Sequence, residues 1–162
     1  MKLLTEHTIL EWLESVKDPE VPVLSILDLG IVRKVELIND PINPFWEITI
    51  TPTYSGCPAM DVISTQIRMI LFANGISNFR IKQVLSPAWT TDWMSDAGRE
   101  KLKAYGIAPP QYSASGKDNS KVVCPNCGSA DTTVISEFGS TACKALYRCE
   151  NCLEPFDYFK CH

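Results

Sequence analysis

The sequence predicts an α+β protein in two parts, a small α/β domain with a mixed sheet of three or more strands followed by a β domain organised by cysteines. Three observations lead there. Apolar residues recur at helical spacing in three stretches, they alternate with polar residues in the stretches between, and six of the seven cysteines lie beyond residue 120. With 162 residues and 45% hydrophobic content, the chain can hold one ordinary domain plus a small appendage.

Taken in order, Ile9, Trp12, Leu13 and Val16 mark a first helix over about 6–17, with Thr8 and Glu11 spaced as a capping box. Asp18-Pro19 should stop it, because a proline disfavours helical backbone at the residue before it. DLGIVRKVELI (28–38) and the alternating Trp46, Ile48 and Ile50 read as two antiparallel strands around an Asn-Asp-Pro loop. Pro58 suits the first position of a helix, and Met60, Ile63, Ile67, Ile70 and Leu71 give that helix a buried stripe, closed by Asn74-Gly75. FRIKQVL (79–85) reads as a third strand. Ser95 to Tyr105 reads as a short helix ended by Gly106.

From residue 109 to 121 the chain turns to PPQYSASGKDNSK, rich in Pro, Ser, Gly and Asn, which is linker chemistry. The expected partition is therefore 1–108 for the α/β domain, 109–121 for a linker and 122–162 for the cysteine-rich tail. In the tail, TTVISEF and CKALYRC read as paired strands and PFDYFKC as a third.

A net charge of −4 with no cluster of Lys and Arg argues against a nucleic-acid partner. The N-terminus lacks the apolar run of a signal peptide, and no stretch approaches the roughly 20 apolar residues that span a bilayer. The expected location is the cytoplasm, without a membrane partner. An odd cysteine count with CxxC pairs and no export signal favours reduced thiols or metal ligation over disulfides.

Cys124-Pro125-Asn126-Cys127 and Cys149-Glu150-Asn151-Cys152 have the spacing of a four-cysteine zinc ribbon. Each CxxC turn aims two sulfurs at one point, and a tail of this size has too little core to fold without help. One structural Zn²⁺ per chain is expected. Iron and Fe–S centres use the same ligands, so the ligand set leaves them open. Cys143 and Cys161 read as small buried hydrophobes or as contributors to a second metal site, and His162 as a solvated chain end.

Cys57 stands apart in TPTYSGCP, between Gly56 and Pro58, just before a helix. Helix starts offer free N–H groups that stabilise an anion, which suits a nucleophile or a soft-metal ligand. Three readings stay open: a packed structural cysteine, a metal ligand with Asp18, Glu20 and Asp28 as neighbouring carboxylates, and a nucleophile. The last lacks a base, since the only histidine in 1–108 is His7. Asp18 could equally cap a turn, and Asp28 could bond local backbone N–H groups.

DPEVPVLSILDLGIV together with TPTYSGCP resembles the MIP18-like (DUF59) family of iron–sulfur assembly proteins over residues 5 to about 106. The resemblance implies that Cys57 takes part in binding or transferring iron or an Fe–S cluster transiently. PAWTTDWM (87–94) and the tail SEFGSTACKALYRCENCLEPFDYFKC (136–161) are similar to the D-subunit family of the ring 1,2-phenylacetyl-CoA epoxidases, multicomponent di-iron monooxygenases of aerobic phenylacetate degradation. That likeness implies other epoxidase components and the Fe–S assembly machinery as partners, and a maturation role. Its alternative is a structural adaptor docking through the ribbon. The chain has neither the Glu-x-x-His ligand set of a di-iron bundle nor a dinucleotide-binding glycine fingerprint, so no catalytic residue is expected. One thiolate with a few carboxylates is short of the four ligands a cluster usually takes. Either a homodimer bringing two copies of Cys57 together or a ligand from a client would complete the set.

Overall fold

Thr5, with extended backbone at φ −123° and ψ 163°, opens the first helix, α1 (Glu6–Leu13), and its hydroxyl accepts the Thr8 N–H. These positions come from a computed structural model that describes residues 4–111 and 121–160. The expected cap at Thr8 is one turn too late: its N–H is already engaged by Thr5, so Thr8 lies inside the helix. The helix also ends earlier than residue 17. Ser15 and Val16 bond back to Trp12 and Leu13 in tighter turns, and Lys17 pairs with Ser25 in an isolated antiparallel bridge. Ile9 and Leu13 point into the core.

Strand β1 (Val32–Ile38) starts four residues later than expected, because the backbone turns at Gly30 (φ 69°) before it can extend. It runs antiparallel to β2 (Phe45–Ile50), with Val35 opposite Ile48 and Leu37 opposite Trp46. Helix α2 (Ala59–Ala73) then carries the chain to β3 (Phe79–Gln83), which lies parallel to β2. The sheet order β1-β2-β3 is thus mixed, as the sequence predicts. The last strand stops at Gln83 rather than Leu85, because Gln83 already faces Ile50, the end of β2.

Ile9, Leu13, Leu24, Ile26, Ile48, Ile50, Ile63, Ile67 and Leu71 are all fully buried. At roughly 1.5–3 kcal/mol for each side chain removed from water, this core can hold its unit together without a metal. The compact units divide between Trp89 and Thr90, giving Met1–Trp89 and Thr90–His162. The segment 90–108, placed by sequence with the α/β domain, therefore sits in the cysteine-bearing unit.

That second unit begins with a 3₁₀ turn (Thr91–Trp93) and α3 (Asp96–Ala104), capped by Ser95, whose hydroxyl accepts the Gly98 N–H. Arg99, on α3, is buried and donates to the carbonyls of Thr91 and Pro110. A two-residue strand, β4 (Ile107–Ala108), lies parallel to β7 (Pro155–Phe159). Antiparallel β6 (Lys144–Cys149) and β5 (Thr132–Ser136) complete a sheet of order β4-β7-β6-β5.

Candidate metal centre

The β5–β6–β7 sheet places the two CxxC turns at one end of the ribbon. Cys149 closes β6, and Thr132 opposite it begins β5, shortly after the first turn. Both turns have the same frame. The Cys124 N–H donates to the Ser129 carbonyl and the Cys149 N–H to the Glu154 carbonyl, five residues on in each case. Cys124 and Cys149 are buried with Ala108 and Phe156, and Tyr147 stacks on Phe156 at 5.9 Å between ring centres. Two of the four ligand candidates therefore belong to the unit's small core.

The four sulfurs lie within 4.8 Å of one another. Cys124 Sγ is 3.8 Å from Cys152 Sγ, and Cys127 Sγ is 3.5 Å from Cys149 Sγ. These separations are too long for disulfides, whose S–S bond is about 2.05 Å. They match the edge of a tetrahedron around one ion: zinc–sulfur bonds of about 2.3 Å place sulfurs roughly 3.8 Å apart. The donor set therefore fits a single thiolate-bound metal ion. A multi-iron cluster would spread its cysteines over several metal atoms and needs a wider cage.

Electrostatics agree. The Ser129 backbone N–H bonds the Cys127 sulfur and, against some loss of hydration, brings its pKa down to about 6. For Cys152, the Glu154 backbone N–H acts downward, but lost hydration and the three neighbouring sulfurs together push it up to about 12. Sulfurs this close ionise one at a time unless a cation shares the space. A divalent ion supplies that charge. Asn151, in the second turn, reaches across to Cys127 Sγ at 3.8 Å. Sequence reading missed this contact, although an Asn stands at the third position of both turns.

The other expected site residues are placed differently. Among the described residues, the four ribbon cysteines are the one group of three or more Cys, His, Asp or Glu side chains gathered closely enough for an ion. Cys57, Asp18, Glu20 and Asp28 are not drawn into such a group. Cys57 is half-buried, its N–H donating to the Tyr54 carbonyl and its own carbonyl accepting from Met60. Asp18 Oδ1 accepts the N–H groups of Glu20 and Val21, and Asp28 Oδ2 accepts that of Ser25, whose hydroxyl in turn accepts the Asp28 N–H. Cys143 is buried beside the Thr141 hydroxyl, at 3.1 Å, and Cys161 lies outside the described residues. Sequence reading also missed Trp89, which donates to the Leu29 carbonyl at 2.7 Å and fixes the Asp28-Leu29-Gly30 loop. A tryptophan beyond the last strand carries no local signal of its partner.

Comparison with known proteins agrees with both units. The PaaD zinc beta ribbon domain model matches residues 108–160, and the model of the iron-sulfur cluster assembly protein family matches residues 6–73. An Escherichia coli K12 protein named for the D subunit of 1,2-phenylacetyl-CoA epoxidase is 51% identical over 156 residues, covering 96% of this chain and 92% of its own. An Fe-S protein maturation auxiliary factor of Porphyromonas gingivalis is 36% identical over 101 residues, covering 62% of this chain and 92% of its own. The crystal structure of a DUF59 domain from Bacillus anthracis superposes with a TM-score of 0.54 at 28% identity, covering 60% of this chain and 90% of that one. With an assembly-type α/β unit, a four-cysteine ribbon and likeness along nearly its whole length, the chain belongs to the family of the phenylacetyl-CoA epoxidase D subunits.

Proposed function

We propose that the chain is an accessory subunit of a multicomponent phenylacetyl-CoA 1,2-epoxidase and acts as a maturation factor for its iron or iron–sulfur centres. The observation that carries this is the 51% identity to the E. coli protein over 96% of the chain. The likeness of the α/β unit to an Fe-S maturation factor points the role toward metal-centre assembly rather than oxygen chemistry. Its partners are then the other epoxidase components and the Fe–S assembly machinery. The role proposed is a cytoplasmic one. Among the described residues no helix is long and apolar enough to cross a membrane.

In this reading Cys124, Cys127, Cys149 and Cys152 hold one structural zinc, and Cys57 handles iron or a cluster in transit. Cys57 suits transit because it is half-exposed, beside Gly56 at φ 77° and at the start of α2. A donor from a second copy or from a client completes its coordination. The second reading, an adaptor with no metal transfer, is favoured by Asp18 and Asp28, whose carboxylates already serve local N–H groups.

Cys57→Ser separates the two. Under the maturation reading, epoxidase co-expressed with the variant lacks iron and activity, while zinc in the variant stays at one per chain by elemental analysis of anaerobically purified protein. Full iron loading and activity would leave the adaptor. Iron with matching sulfide in the ribbon would replace the zinc assignment.

A further inference from the structure

The two CxxC turns share one backbone path but differ at one position. Each first cysteine bonds to the carbonyl five residues on, so Gly128 and Leu153 are equivalent, four residues after Cys124 and Cys149. Both are in the left-handed region, Gly128 at φ 76° and Leu153 at φ 63°. Glycine adopts that conformation freely, whereas a leucine there crowds its Cβ against its own carbonyl. Among the described residues Leu153 is the one non-glycine with positive φ. Packing does not offset the strain, because Leu153 is 61% exposed.

An exposed leucine on strained backbone, where the sister turn has glycine, is a cost to the isolated chain. Such strain persists only where the surrounding structure imposes it, as the Cys149 N–H bond to the Glu154 carbonyl does here, and it clusters at functional sites. We infer that Leu153 is a docking knob, inserted into an apolar socket with a basic rim on another epoxidase component. This rests on the reading of the chain as an accessory subunit. Charge indicates the rim: Glu150 and Glu154, both exposed, flank Leu153, and Thr133 Oγ1 steadies Glu150 at 2.6 Å. Arg148, opposite Pro155, is the one basic residue between 148 and 155. A leucine with an acid on either side of it in the chain would meet repulsion on an acidic surface and attraction on a basic one. Its place on a turn held by two metal ligands makes it rigid, which lowers the ordering cost of binding.

The test uses the full zinc-loaded chain co-expressed with the remaining epoxidase components. Affinity is measured for wild type, Leu153→Gly, Leu153→Asn and Glu154→Lys, with melting temperature and zinc content recorded for each. Glycine and asparagine both accept left-handed backbone, so neither variant should lose zinc. The expected result is a fall of about tenfold or more in affinity for both Leu153 variants, as at a buried hot spot. Leu153→Gly should melt at the same or a higher temperature. Glu154→Lys should weaken binding and flatten its salt dependence. If the Leu153 variants bind as wild type does, the knob is wrong and the accessory-subunit reading stands. If Leu153→Gly melts lower, Leu153 is a packing residue and the inference falls. Should wild type bind no epoxidase component, both fall together.

Discussion

Asp28 is where a structural and a chemical account of one carboxylate can be told apart. It is 4% exposed, and its Oδ2 takes the N–H of Ser25, which is itself fully buried. Replacing Asp28 by Ala strips that buried N–H of its acceptor and should destabilise the protein by about 1–3 kcal/mol, read from urea unfolding. Asp28→Asn keeps an acceptor oxygen but removes the charge. If Asp28 only braces its loop, the Asn variant should unfold near the wild-type midpoint and support full epoxidase iron loading. Loss of loading at unchanged stability would return Asp28 to the metal-handling set. The sequence could raise both readings but not choose, because a DLG turn looks the same in either case.

Elements with a strong internal period were legible, and those defined by distant partners were not. The stripe Met60, Ile63, Ile67 and Leu71 and the alternation in β2 fix their elements by themselves. The start of α1 near residue 6 was legible, but its cap was assigned one turn late, because Thr5 and Thr8 are both acceptable caps and only the backbone chooses. The parallel pairing of β3 with β2, and the two residues of β4, depend on partners far along the chain. The four ribbon cysteines were legible from spacing alone, whereas Leu153 emerges only when the two turns are laid over each other. Arg99 is the clearest omission among the side chains, an arginine in a polar-looking helix that proves to be buried. Its guanidinium ties α3 to the carbonyls of Thr91 and Pro110, joining the 3₁₀ turn to the segment after β4. Arg99→Met keeps most of the volume and removes both donors, so the buried Pro110 carbonyl loses the guanidinium and the Thr91 carbonyl keeps the Met94 N–H alone. A loss of about 2–4 kcal/mol in the second unit is expected, with faster amide exchange in 90–110.

At the scale of the whole molecule, the two units are stabilised by different physics. The first buries a large set of aliphatic side chains, Leu29 and Ile31 among them, while the second gathers a small core that includes two of its own ligand cysteines. A strong chelator should therefore abolish one calorimetric transition of the full chain and leave the other near its original temperature. Acid should act in the same direction as the chelator. Cys127 has its pKa depressed from 9.0 to about 6, so its contribution is full above the unfolded value and is lost as pH falls through the folded one. Cys152, pushed up to about 12, contributes in the opposite sense: its share is present below 9.0 and lost on the alkaline side. A bound cation favours every thiolate and lowers both, so proton competition for the metal moves to lower pH than in the metal-free unit. Zinc release followed with a chromogenic chelator during acid titration should thus occur on the acid side of neutrality and coincide with loss of the second unit's transition. The first unit's transition should persist through the release. Simultaneous loss of both transitions at the release pH would mean that the α/β unit depends on the ribbon's metal, contrary to the self-sufficiency its core predicts.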